Sequence, residues 1–259
     1  MSDLGRFLVQ LRADLRVFVR NPAALFFTAI LPVIFLTLFV AIFGNERAED
    51  FGNVRVATLQ VPAFIALAVV SASFVGLAIG LTVVRENGVL KRVRGTPVAS
   101  WIVFAGRIGT AVVSAVIVTA ILCAIGAVAF GVRIPLSTMP GLLVTLLVGT
   151  GAFCALGIAF TGLISSEDAA PAMTNAVVLP LYFISGVFVP VSQLPDGLRQ
   201  VADVLPVKPF VDALTEAFDP RTTGLGLNGP DLLVLAAWGV AGLLCAVRFF
   251  VWTPRRSAG

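Results

Sequence analysis

Long stretches without a charged residue alternate with short charged ones, and that alternation predicts the elements. The charge-free stretches are residues 21–45, 56–84, 108–132, 134–166, 169–195 and 232–247. A helix needs about 20 mostly apolar residues to cross the hydrocarbon core of a bilayer, so the first five are long enough by themselves. The last has 16 residues, but Arg248 is followed by Phe249, Phe250, Val251 and Trp252. An arginine near a helix end can snorkel to the headgroups, and tryptophan suits the interface. The pattern predicts six spanning helices.

Ahead of the first stretch the period changes. Leu4, Phe7, Leu8, Leu11, Leu15 and Phe18 recur three and four apart, while Arg12, Arg16 and Arg20 recur every fourth residue on another face. Residues 1–20 therefore read as an amphipathic helix lying in the membrane interface, its arginines among anionic headgroups. Asn21-Pro22 ends it, because proline disfavours helical geometry in the residue before it.

Two further segments read as more than loops. In residues 84–100, a helix-compatible core from Val89 to Arg94 lies between Gly88 and the pair Gly95 and Pro97. Leu90 and Val93, three apart, predict one apolar ridge flanked by Lys91, Arg92 and Arg94. A short, stiff, basic helix of this kind suits the groove of a soluble partner. Residues 186–218 are too apolar for a solvated loop and too rich in proline for one span. Leu194, Leu198, Val201 and Leu205 share a face of one short helix; Phe210, Val211 and Leu214 begin another. Non-helical backbone at membrane depth is tolerated only where protein buries it or water lines it, so two short helices dipping into the far leaflet fit.

Composition narrows the class. Apolar residues make up 58% of the chain and charged residues 12%, about half the charge of ordinary soluble domains. That excludes a soluble globule and intrinsic disorder alike; the chain is an all-α integral membrane protein. Arg and Lys collect on one predicted side, twelve against six, giving that side a net charge of +7 and the other −3. The basic side is the cytoplasmic one, so both termini are expected there. The first apolar run is too long for the core of a cleaved signal peptide.

The chemistry is equally restricted. With no histidine and no Gly-x-Ser-x-Gly run, an intramembrane hydrolase lacks its base and its nucleophile. Cys123, Cys154 and Cys245 sit inside apolar runs at spacings that suit neither zinc nor a disulfide framework. No Gly-x-x-x-x-Gly-Lys-Ser/Thr run is present to cradle a nucleotide. The spans hold almost no charge for an ion pathway, while Thr28, Thr37, Ser71, Ser73, Thr82, Thr110 and Ser114 add only hydroxyls to apolar walls. Such walls suit a hydrophobic or amphipathic cargo.

Two motifs carry a resemblance. Arg85, Glu86, Gly88, Leu90, Lys91, Arg92, Thr96 and Pro97 follow the second span; Asn175, Pro180, Ser185, Gly186, Pro190, Leu194, Pro195 and Pro206 run through and past the fifth. Together, in that order and on opposite sides of the membrane, they resemble the ABC-2 permeases of ATP-binding-cassette transporters, most closely drug and lipid exporters of the daunorubicin-resistance type. Val84 and Val89 stand where the family has an acid and a threonine. The resemblance covers nearly all of residues 1–259 as one transmembrane domain in the cell membrane.

That resemblance implies a division of labour. Two separate ATPase subunits would hold ATP and Mg2+, this chain binding neither, and a second permease, identical or a sister chain, would complete the pathway among membrane lipids. No nucleic acid is implied. Arg85, Glu86, Gly88, Leu90, Lys91, Arg92, Val93, Arg94, Thr96 and Pro97 would couple to the ATPase. Phe7, Leu11, Arg12, Leu15 and Arg16 would form the interface helix; Ser185, Gly186, Pro190, Leu194, Pro195 and Pro206 would form the outer gate. A lipid-linked polysaccharide is a less favoured cargo, since only 3 Trp and 1 Tyr are present. A secondary transporter, or a scaffold that merely anchors an ATPase, is the rival class.

Overall fold

The computed structural model describes residues 3–48, 54–95 and 101–254. The amphipathic segment forms α1 (Asp3–Val19). Asn21 then caps the next helix, its side chain accepting from the Ala24 N–H at 3.1 Å, and Pro22 occupies the first turn, where its missing N–H costs nothing. Five of the charge-free stretches become α2 (Pro22–Phe43), α3 (Val56–Glu86), α5 (Trp101–Phe130), α6 (Leu136–Thr161) and α10 (Gly229–Phe249), the five helices among the described residues long and apolar enough to cross a membrane. Between α3 and α5 lies the short helix α4 (Val89–Arg94). A two-stranded antiparallel hairpin, β1 (Arg47–Ala48) and β2 (Val54–Arg55), follows α2.

α3 is the centre of the bundle. Nearly every side chain from Val61 to Val70 is buried, because α2, α5 and the inserted helix Val207–Phe218 surround it. A helix apolar on all sides suits such a central place. Small residues set the layering beyond it. Gly157 of α6 lies against the carbonyls of Ser73 and Phe74, and Gly242 of α10 lies against the α6 backbone at Ala155 and Leu156. A methyl group at either glycine would meet backbone atoms, so α3, α6 and α10 stack at close range.

Each end of the bundle is tied across helices. At one end, Phe104 packs edge-on against Phe250 and Trp252, with ring centroids 5.1 and 5.5 Å apart. At the other, Asn45 and Arg55 both donate to the Phe130 carbonyl at 2.8 Å, and the Gly141 N–H donates to the Leu225 carbonyl at 2.9 Å.

The expected fifth span is shorter than the other five. It is α7 (Ala169–Ile184), 16 residues, about 24 Å long at 1.5 Å per residue. Ala170 packs with Ala78 and Ile164, while the Tyr182 hydroxyl donates to the Leu67 carbonyl at 3.2 Å. α7 thus runs beside only part of α3. The chain then turns at Gly186, whose φ of 87° is open to glycine at little cost. Phe188 ends among Phe35 and Phe39, at centroid distances of 5.5 and 6.2 Å.

Beyond the turn come α8 (Asp196–Val204) and α9 (Val207–Phe218). They behave differently. α9 is inserted, with Phe210, Ala213, Leu214, Ala217 and Phe218 fully buried. α8 buries only Ala202; of its expected apolar face, Leu194 and Leu205 are half-buried while Leu198 and Val201 are exposed.

Candidate functional site

The last turn of α3 is closed by hydrogen bonds from Asn87 to Val83 and from Gly88 to Arg85, both 3.0 Å. Gly88 adopts a φ of 69°, left-handed and suited to glycine, and so reverses the chain into α4. Lys91 and Arg92 are exposed and Val93 is half-buried. Val89 is 40% exposed, whereas Leu90 is completely buried. The expected ridge of Leu90 and Val93 is therefore corrected: the domain itself claims Leu90, whose burial is worth about 1.5–3 kcal/mol. The outward face of α4 consists of Val89, Lys91 and Arg92, bordered by Val93. The Arg94 side chain, Thr96 and Pro97 lie outside the described residues.

Arg85 and Glu86 also depart from expectation. Both side chains are buried and joined by an ion pair of 2.7 Å. Arg85 further donates to the carbonyls of Thr161 at 2.7 Å and Ile164 at 2.8 Å. Thr161 is the last residue of α6, whose final carbonyls have no partner within the helix and carry the negative end of its dipole. A guanidinium fork suits that place. The two side chains face inward, and Arg85 ties the end of α3 to the end of α6.

α1 reaches the same end of the bundle. Phe7 and Leu11 pack against Gly109 of α5, and Gln10 and Asp14 against Gly106. Leu15 is half-buried on this side, while Arg12 and Arg16 point outward. Gln10 donates to Asp14 at 3.1 Å. Arg107 lies inside α5 with its guanidinium against Gly80 of α3. The signal for this contact was the lone Arg107 near the start of an apolar run, with Gln10 and Asp14 four apart. A surface recess of about 510 Å³, lined by Arg16, Val17, Arg20, Asn21 and Pro22, marks the elbow between α1 and α2.

The far-end residues are dispersed along the α7-to-α9 path. Ser185 is buried and donates to the Tyr182 carbonyl at 3.3 Å. Gly186 makes the turn, Pro190 and Pro195 are exposed, Leu194 is half-buried, and Pro206 is buried immediately before α9. What sequence reasoning missed here is an ionic clasp. Lys208 bonds Asp203 of α8 at 2.8 Å and Asp212 of α9 at 2.5 Å. Burial alone favours the neutral amine, but the two carboxylates outweigh it and hold the Lys208 pKa above its ordinary value. Trp238 of α10 donates to the Val204 carbonyl at 2.7 Å, pinning the end of α8.

Comparison with known proteins agrees with this architecture. The family model for ABC-2 type transporters matches residues 6–218. Nodulation protein J of Rhizobium leguminosarum bv. viciae is 34% identical over 102 residues, which is 39% of this chain and 36% of that protein. The match thus spans little more than a third of the relative's length.

Proposed function

The chain belongs to the ABC-2 type transporter family, and on that premise we propose that it is the membrane permease of an ATP-driven exporter whose ATPase is a separate chain. The observation that carries the proposal is α4: a six-residue helix that buries Leu90 inward and presents Val89, Lys91 and Arg92 outward. Burial of Leu90 holds it against the domain, which a part that receives a push requires. The basic charge of that end supports a cytoplasmic location, with α1 lying in the adjacent interface.

ATP and Mg2+ belong to two ATPase subunits. Their closure around nucleotide displaces α4, and ATP does work here only by favouring one packing of the permease pair over another. A second permease, identical or a sister chain, completes the pathway. The α7 turn, α8 and α9 form the outer gate. The stacked α3, α6 and α10 present apolar faces and hydroxyls, which supports a hydrophobic or amphipathic cargo of the lipid or drug class.

The test is co-purification from solubilised cell membranes. The wild-type chain should retain its ATPase through affinity purification, and the double variant Lys91→Glu, Arg92→Glu should lose it while remaining folded in the membrane. Equal retention by the variant, or no ATPase with the wild type, overturns the reading.

A further inference from the structure

The elbow between α1 and α2 carries cations that the α4 surface does not use. The open recess there, about 510 Å³, is lined by Arg16, Val17, Arg20, Asn21 and Pro22. Arg16 and Arg20 are exposed, and the Arg20 N–H donates to the Arg16 carbonyl at 3.1 Å. They therefore stand one helical turn apart on the same face, where like charges repel. Among the described residues no carboxylate pairs with either guanidinium. The ion pair of α1 joins Arg6 to Asp3, at the opposite end of the helix.

Charge and surface together define what such a recess takes. The elbow joins the C-terminus of α1 to the N-terminus of α2, whose dipole charges are opposite and offset one another. The two guanidiniums therefore set its sign. Beyond Pro22, Phe26, Phe27 and Ile30 of α2 are exposed, as are Val17 and Val19 before it. The occupant needs an anionic head and an apolar tail. A phosphodiester suits the head, since a guanidinium fork can give it two parallel N–H···O bonds. We propose that the α1–α2 elbow binds an anionic phospholipid, its phosphate between Arg16 and Arg20 and its acyl chains along Phe26 and Ile30. Arg12, one turn earlier, is also exposed but lies outside the recess. The headgroup is thus a defined ligand, distinct from the diffuse attraction of a basic helix for a charged membrane. An anion between the two arginines also removes their mutual repulsion, so the bound lipid stabilises the elbow. The inference goes beyond the permease reading and does not depend on it.

The experiment is native mass spectrometry of the full chain in detergent supplied with phosphatidylglycerol or phosphatidylcholine. The wild type should retain phosphatidylglycerol and release phosphatidylcholine. Arg16→Gln combined with Arg20→Gln should lower that retention about tenfold, the loss expected on removing a charge-assisted hydrogen bond. Arg6→Gln combined with Arg12→Gln removes the same charge from the same helix outside the recess, and should leave retention near wild type. Equal losses in the two double variants overturn the proposal, as does undiminished retention without Arg16 and Arg20. Equal retention of the two lipids by the wild type overturns it too. So does displacement of the lipid by millimolar inorganic phosphate, because the recess would then take a free anion. If the first double variant fails to fold, Arg20→Gln against Arg12→Gln decides by the same comparison. Failure of the permease reading shows separately, as absence of an ATPase from the purified wild-type chain.

Discussion

The Phe210 ring of α9 lies directly over Gly149 of α6, filling the space where any larger residue would place its Cβ. Phe153 flanks it at a centroid distance of 5.5 Å. This contact seats α9 within the bundle, and it makes that seating sensitive to a single methyl group.

Gly149→Ala should destabilise the protein by about 1–3 kcal/mol, the usual cost of overpacking a filled core. Phe210→Ala should cost about 3–5 kcal/mol through the cavity it leaves. The double variant should lose less than the two costs added, because the smaller residue makes room for the new methyl. Thermal unfolding in detergent of the four proteins measures this; strict additivity would show that the two positions do not touch.

Leu90 and the Lys91–Arg92 pair should fail in different ways. Leu90→Asp buries a carboxylate without a partner, so it should lower the yield of folded, membrane-inserted protein. Reversal of Lys91 and Arg92 alters only exposed charge, so yield and thermal stability should stay near wild type while ATPase binding is lost. Size-exclusion profiles and pull-downs run on the same preparations separate the two effects.

The Lys208 clasp should show a defined pH window. Because the folded pKa is raised, the clasp contributes its full stability below the unfolded lysine value of about 10.4 and loses it as pH rises through the folded value. The difference in melting temperature between wild type and Lys208→Met should therefore be level from neutral pH upward and shrink only above about pH 10.4. A difference that already collapses near neutrality would contradict the assignment of Asp203 and Asp212 as its partners.

Much of this architecture is legible in the sequence, and the parts that are not have physical reasons. Charge-free length and the three-to-four spacing of Leu and Phe give the long helices and α1, because burial in lipid and amphipathicity leave those patterns directly. They do not give depth. Residues 169–195 are uninterrupted by charge, yet Gly186, Pro190 and Pro195 break them into a short helix and an inserted turn. Absence of charge records only that a segment avoids water.

Within α4 the apolar residues Val89, Leu90 and Val93 offer two possible faces, and a six-residue helix is too short for periodicity to choose. The choice is made by the Gly88 turn, which sets the direction in which α4 leaves α3. Arg85 itself read as a surface charge because cations normally are. Only the fold shows the unpaired carbonyls that accept it. The clasp of Lys208 with Asp203 and Asp212 was hidden for the same reason: it joins two short helices whose packing no local pattern encodes.

The account turns on contact between α4 and a nucleotide-hydrolysing subunit, and a photo-crosslinking residue in place of Val89, activated in intact cells, tests it most directly. The predicted result is a covalent adduct with the ATPase chain, together with protection of Gly95→Cys from a membrane-impermeant thiol reagent added outside. Labelling of that cysteine from the exterior, or crosslinking that yields no ATPase adduct, would contradict it.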